Sequence, residues 1–115
     1  MKIESKYNIG DVFYLPLCAK KDDIKTIIRD GKEYHNCSEV YISSAALMKI
    51  NHIEFEVGEN NKVHIVIGFE DEEQNYLAVN ENDFQFYTYD QALKIAQKYA
   101  DEKIEYLYTD KLYDN

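Results

Sequence analysis

The chain's 115 residues, 45% hydrophobic and 30% charged, suffice for one domain around one core, so residues 1–115 are expected to fold as a unit. The net charge of −9 lies in the second half: residues 1–52 carry eight Lys and Arg against seven Asp and Glu, residues 53–115 five against fifteen. Such a field disfavours direct binding to nucleic-acid phosphates or anionic membranes and favours basic protein surfaces. No apolar run approaches the roughly 18 residues of a membrane span, and Met1-Lys2-Ile3-Glu4-Ser5-Lys6 lacks a secretion signal's apolar block. The expected location is the cytoplasm, where Cys18 and Cys37 stay free thiols.

In chain order, Tyr7-Asn8-Ile9-Gly10-Asp11 reads as a turn leading into a first strand, Val12-Phe13-Tyr14-Leu15-Pro16-Leu17. Pro16 cannot donate to a ladder, which puts this strand at an edge or ends it there. Lys20-Lys21-Asp22-Asp23 reads as a polar break. Residues 24–28 fit a short strand or one helical turn, and Asp30-Gly31 favours a tight hairpin into Lys32-Glu33-Tyr34. Residues 39–44 look extended, and residues 45–50 suit a bent or bulged strand.

The best-defined hairpin is centred on Gly58-Glu59-Asn60-Asn61-Lys62. Ile53, Phe55 and Val57 alternate with Glu54 and Glu56 before it, and Val63, Ile65, Ile67 and Phe69 keep the same period after it. A lone hairpin is not stable in water, so the other elements are expected to cover its apolar face. Glu70-Asp71-Glu72-Glu73-Gln74-Asn75 must be a solvated loop, because adjacent carboxylates repel and resist burial. Residues 76–79 read as a strand, 80–83 as a polar loop and 84–87 as a last extended piece. Thr88 and Gln91 have the spacing of a capping box. Ala92, Ile95, Ala96, Tyr99, Ala100 and Ile104 then form the apolar stripe of a helix over 89–104 that should lie on the sheet. Residues 106–115 are expected to fray.

No catalytic motif emerges. Cys18, His35, Cys37, His52 and His64 lack the paired spacing of a zinc site, and a Cys37–His35 nucleophile lacks an orienting group and an oxyanion site. The carboxylates of residues 70–73 share one loop, unlike the opposed pair of a glycosidase, and the four glycines form no phosphate loop. No cofactor or metal is expected. Tyr14 and Tyr99 read as packing residues, whereas Tyr76, Tyr87, Tyr89, Tyr106, Tyr108 and Tyr113 lie near acidic residues and suit a contact surface.

Gly10-Asp11-Val12-Phe13-Tyr14, the central hairpin and Phe84-Gln85-Phe86-Tyr87-Thr88-Tyr89-Asp90-Gln91-Ala92 resemble small uncharacterised proteins of bacteriophages and mobile elements, with Gln91 where Glu is more usual. The resemblance implies an α+β fold: a strongly twisted, SH3-like antiparallel sheet of about five strands with one C-terminal amphipathic helix. It brings no catalytic residues. The expected function is a non-enzymatic interaction protein, for example a nucleic-acid-mimicking inhibitor of a defence nuclease, that offers an acidic, Tyr-rich surface to a basic host protein. That surface comprises Glu70, Asp71, Glu72, Glu73, Tyr76, Glu81, Asp83, Asp101, Glu102, Glu105 and Tyr106. The alternatives are a scaffold domain of a larger complex and a nucleic-acid-binding barrel in which the cations of residues 20–29 join Lys49 and Lys62 in one groove.

Overall fold

The computed structural model of the chain describes residues 4–83 and 85–108. It is an α+β arrangement built on one antiparallel sheet in the order β1-β2-β3-β4. The strands are β1 Val12–Arg29, β2 Lys32–Val57, β3 Val63–Glu70 and β4 Tyr76–Asn80, and one helix follows, α1 Tyr89–Asp101. At about 3.3 Å per residue, the 26 residues of β2 account for a molecule 79 Å long and only 26 by 24 Å across.

The sheet has four strands among the described residues instead of about five. The expected break at Lys20-Lys21-Asp22-Asp23 does not occur, and these residues pair in register with Tyr41, Val40, Glu39 and Ser38. In a two-stranded ribbon both faces meet water, so charged side chains cost nothing there and cannot end a strand. The separate extended pieces expected between residues 32 and 57 likewise fuse into β2. Residues 45–50 are strand as expected, and the ladder slips between Ile50 and His52, leaving Asn51 as an extra residue that bends β2.

Both hairpin tips use positive φ. Asp30 (52°) and Gly31 (73°) make the two-residue turn between β1 and β2, as the sequence predicts. In the β2–β3 loop Asn60 (65°) and Asn61 (58°) take the left-handed conformation, while Gly58 stays extended and its amide bonds the Lys62 carbonyl at 2.8 Å.

The core lies mid-length, where the strands overlap. Phe13, Met48, Ile50, Ile67, Phe69 and Leu77 are buried together, with Phe13 edge-on to Phe69 at 5.0 Å. Burial of each such side chain contributes about 1.5 to 3 kcal/mol. Coverage of the β2–β3 hairpin is partial, because Phe55 and Val57 toward its tip remain 48% and 70% exposed.

The outer edge of β1 is closed beside the core. The Tyr14 amide donates to Tyr87 at 3.0 Å, and Cys18 and Tyr106 exchange two backbone bonds of 2.8 Å. Pro16 falls between them on the same alternation, at a position with no ladder donor to lose toward β2, so its edge placement holds. Of the expected 84–87 strand only the Tyr87 bridge forms, and Phe84 lies outside the described residues.

The capping box is formed. The Thr88 hydroxyl accepts from the Gln91 amide at 3.2 Å, and the Gln91 side chain accepts from the Thr88 amide at 3.0 Å. Ala92 and Ala96 are buried on the face that α1 turns to β1 and β2. The helix stops at Asp101, short of the expected 104, where Lys103 turns left-handed (φ 56°) and the Ile104 amide bonds back to Tyr99 at 2.9 Å. Ile104 is therefore exposed, outside the stripe. Residues 106–108 are docked where fraying was expected; residues 109–115, with Tyr113, lie outside the described residues. Among the described residues no helix is long and apolar enough to cross a membrane.

Candidate interaction surface

The acidic residues divide by where the strands end. Glu70 closes β3, and Asp71, Glu72 and Glu73 begin the loop to β4; Glu81 and Asp83 lie beyond the far end of β4. Five residues of extended chain separate the two groups by about 16 Å, more than the roughly 8 Å screening length of physiological salt. Asp101, Glu102 and Glu105 follow the helix to the edge of β1. The strand β4 thus sets Glu81 and Asp83 apart from Glu70, Asp71, Glu72 and Glu73.

Several of these carboxylates hold the fold together. Asp71 accepts four hydrogen bonds: from the amides of Glu73 and Asn75 at Oδ1 and from the Asn75 side chain and the Tyr108 hydroxyl at Oδ2, all within 2.8 to 2.9 Å. Burial pushes the Asp71 carboxyl up, but the bonds from Asn75, Tyr108 and Glu73 outweigh it and hold the group below its usual 3.8. The Tyr108 phenol is pushed well above its usual 10.0 by burial and by its bond to Asp71. Glu81 accepts from the Ser5 hydroxyl and the Lys6 amide, and Glu105 accepts from the Lys20 amide at 3.0 Å.

The tyrosines follow the same division. Tyr106 stacks on Tyr99 at 4.7 Å, and Tyr89 meets Tyr14 edge-on at 5.3 Å. Tyr87 and Tyr106 also form the backbone bridges to β1. Tyr76, half exposed, lies over Gly68, where an added Cβ would overlap its hydroxyl.

Glu72 and Glu73 stay exposed, and their surroundings make a site. A cavity of about 420 Å³ opens at the base of the β1–β2 hairpin, with Leu17, Ala45, Ala46 and Leu47 as its floor. Asp71, Glu72, Glu73, Asn75 and Tyr108 form its wall, and Glu70 borders an adjoining cavity over Leu47. An apolar floor under an acidic wall suits a partner surface that carries cations around an apolar centre.

The second candidate was only half legible in the sequence. Beyond Ala19 the β1–β2 ribbon projects as an arm of about 30 Å, with no further strand on either edge among the described residues. Directly paired residues share a face. One face carries Lys21, Lys25, Arg29 and Lys32 with Ile27, Tyr34, Asn36, Ser38 and Val40, and a single carboxylate, Asp23. The other carries Asp22, Glu33 and Glu39 against Lys20, with Ile24, Ile28, His35 and Cys37. Lys20 pairs with Glu39 at 3.4 Å; among the described residues the cations of the first face form no ion pair. The expected groove of arm cations with Lys49 and Lys62 does not form, because Lys49 pairs with Val12 and Glu70 in the body and Lys62 lies in the β2–β3 loop.

Among the described residues no group of His, Cys, Asp and Glu is arranged to hold a metal ion. Cys18 is buried in the body, Cys37 and His35 sit on the arm, and His52 and His64 belong to the other hairpin. No family model matches the chain, and no curated protein or solved structure shows significant similarity to it.

Proposed function

We propose that this chain is a non-enzymatic interaction protein whose groove at the arm base takes up a basic protein surface with an apolar centre. The supporting observation is the exposed pair Glu72 and Glu73 beside the floor of Leu17, Ala46 and Leu47. The chemistry of the wall supports a binding role over a catalytic one. A carboxylate kept ionised by four donors and a phenol kept protonated are poorly suited to proton transfer near neutral pH. The reading drops strand mimicry, which needs a continuous run of charge, and rests on local complementarity. An SH3-like curl is proposed for the body alone, supported by the bulge at Asn51; phage or mobile-element origin is proposed on the motif order.

A photo-crosslinking side chain at Gln74, exposed on the loop that carries Glu72 and Glu73, tests this in the expressing cell. The expected result is a discrete protein adduct that disappears in Glu72→Lys/Glu73→Lys. Absence of any adduct, or one indifferent to that charge reversal, overturns the reading.

A further inference from the structure

We infer that the arm is a second binding site, separate from the groove, and that its cationic face takes a single strand of nucleic acid. The inference does not rest on the groove's role. It stands on how that face is divided between the two strands and on the cavity at its tip.

The cations line one strand of the ribbon. Lys21, Lys25 and Arg29 recur at every fourth residue of β1, about 13 Å apart along it, and among the described residues they form no ion pair. Across the ladder, on the same face, β2 sets Tyr34, Asn36 and Ser38. One side of the face is therefore a track of positive charge, and the other is a row of one aromatic ring and two hydrogen-bonding side chains. A single strand of nucleic acid has the matching division, with phosphates along one side and unstacked bases along the other. A duplex does not match. Phosphates flank its grooves on both sides, whereas β2 supplies one cation to this face, Lys32, next to the turn.

The tip adds a place for a base. Ile27, Arg29, Tyr34, His35 and Asn36 line an open cavity of about 390 Å³. Tyr34, 51% exposed, offers a stacking surface there, Arg29 brings charge beside it, and the Asn36 amide can both donate and accept. An anionic membrane would use the cations and Ile27 but not the amide.

The negative charge of the body does not oppose this placement. Lys25 is eight residues from Leu17 in the groove floor, or about 26 Å of extended strand, which is several times the roughly 8 Å screening length of physiological salt. Within the arm, Asp22, Glu33 and Glu39 belong to the other face and Asp30 to the turn, leaving Asp23 as the one carboxylate on the cationic side.

Fluorescence anisotropy with labelled oligouridylate and oligothymidylate of about 15 nucleotides tests the inference. A mixed-sequence duplex of the same length and phosphatidylserine vesicles serve as the competing probes. At least one single strand should bind more tightly than duplex or vesicles, and comparison of the two tells RNA from DNA. Three neutralised phosphates give a salt slope of about −2, so affinity should fall about twentyfold between about 50 and 200 mM NaCl. Lys25→Gln should weaken binding and make that slope shallower by about 0.7. Tyr34→Ala should weaken binding by about five- to a hundredfold at an unchanged slope, while Tyr34→Phe and Lys62→Gln bind as wild type. Because no residue of the arm between Lys20 and Arg29 or between Lys32 and Val40 is buried, these changes leave the body folded. No binding of either single strand at about 50 mM NaCl, tighter binding of duplex or vesicles, a slope unmoved by Lys25→Gln, or a Tyr34→Ala variant equal to wild type overturns the inference. The Gln74 adduct is read in a separate assay, so the groove and the arm can each fail alone.

Discussion

The Tyr108 hydroxyl donates to the Asp71 carboxylate at 2.8 Å, joining the end of the described chain to the loop between β3 and β4. Asp71 also organises that loop through Glu73 and Asn75, while Gln74, at φ 67°, completes the turn. Tyr108→Phe should therefore cost about 1 to 2 kcal/mol, since a bond to an ionised acceptor is lost from a half-buried site.

The same bond sets two limits in pH. The folded Asp71 carboxyl is held below its usual value, so its stabilisation is complete above the unfolded value and fades as pH falls through the lower folded one. The folded Tyr108 phenol is held above its usual value, so its contribution is complete below the unfolded value and fades as pH rises through the folded one. Urea midpoints from acid to alkaline pH should thus fall at both extremes. Tyr108→Phe should flatten the alkaline limb and Asp71→Asn the acidic one; unchanged limbs in either variant would refute the assignment.

Gly68 is confined by neighbours on two sides. An added Cβ would overlap the Tyr76 hydroxyl and come within 2.9 Å of the His52 Cβ. One of those atoms can swing aside, and the other is fixed to the bulged part of β2. Gly68→Ala should destabilise by about 1 to 3 kcal/mol, and adding Tyr76→Val should restore only part of that. Full restoration in the double variant would show that the β2 backbone yields.

These sites differ in how readable they are from sequence, for a physical reason. The capping box at Thr88 and Gln91, the turn at Asp30-Gly31 and the apolar side of β3 are local, set by dihedral preference and by a period of two or 3.6. The arm is not local in that sense. Lys20-Lys21-Asp22-Asp23 resembles a loop because polar runs usually are loops, and only pairing with residues 38–41 makes it strand. Its division into a cationic and an acidic face becomes visible once the turn fixes which residues are opposite. Likewise, nothing local marks Asp71 as the carboxylate bound by four donors while Glu72 and Glu73 remain free to form a wall.

The two cysteines should separate cleanly by chemistry. Cys18 is buried, and burial together with the nearby Glu105 carboxylate pushes its thiol up, so it presents little thiolate. Cys37 is exposed on the arm face opposite the cationic one. A thiol reagent at mildly alkaline pH should modify Cys37 at once and Cys18 only on unfolding. Equal native rates would contradict the placement of Cys18.

Loss of the Thr88 cap should reach beyond the helix. Thr88→Ala should cost about 1 kcal/mol and loosen the Cys18–Tyr106 bridge, because α1 connects the two segments that close the β1 edge. Gln91→Glu keeps the box and adds a charge that the helix N-terminus favours, so thermal unfolding should shift by no more than a degree or two, upward. A Thr88→Ala variant as stable as wild type would show that packing of Ala92 and Ala96 holds the helix unaided.

The arm should be dispensable to the body. Between Lys20 and Arg29, and between Lys32 and Val40, no residue is buried, so the distal ribbon contributes almost no apolar area to the folded monomer. Excising residues 23–38 and joining Asp22 to Glu39, which face each other across the ladder, through an Asn-Gly turn removes the arm without disturbing a core contact. Measured by urea unfolding, stability should change by less than about 1 kcal/mol and the urea slope hardly at all, because that slope follows the area exposed on unfolding. A loss above about 3 kcal/mol would mean that the arm folds back on its own body, and the groove would then be occupied from within the same chain.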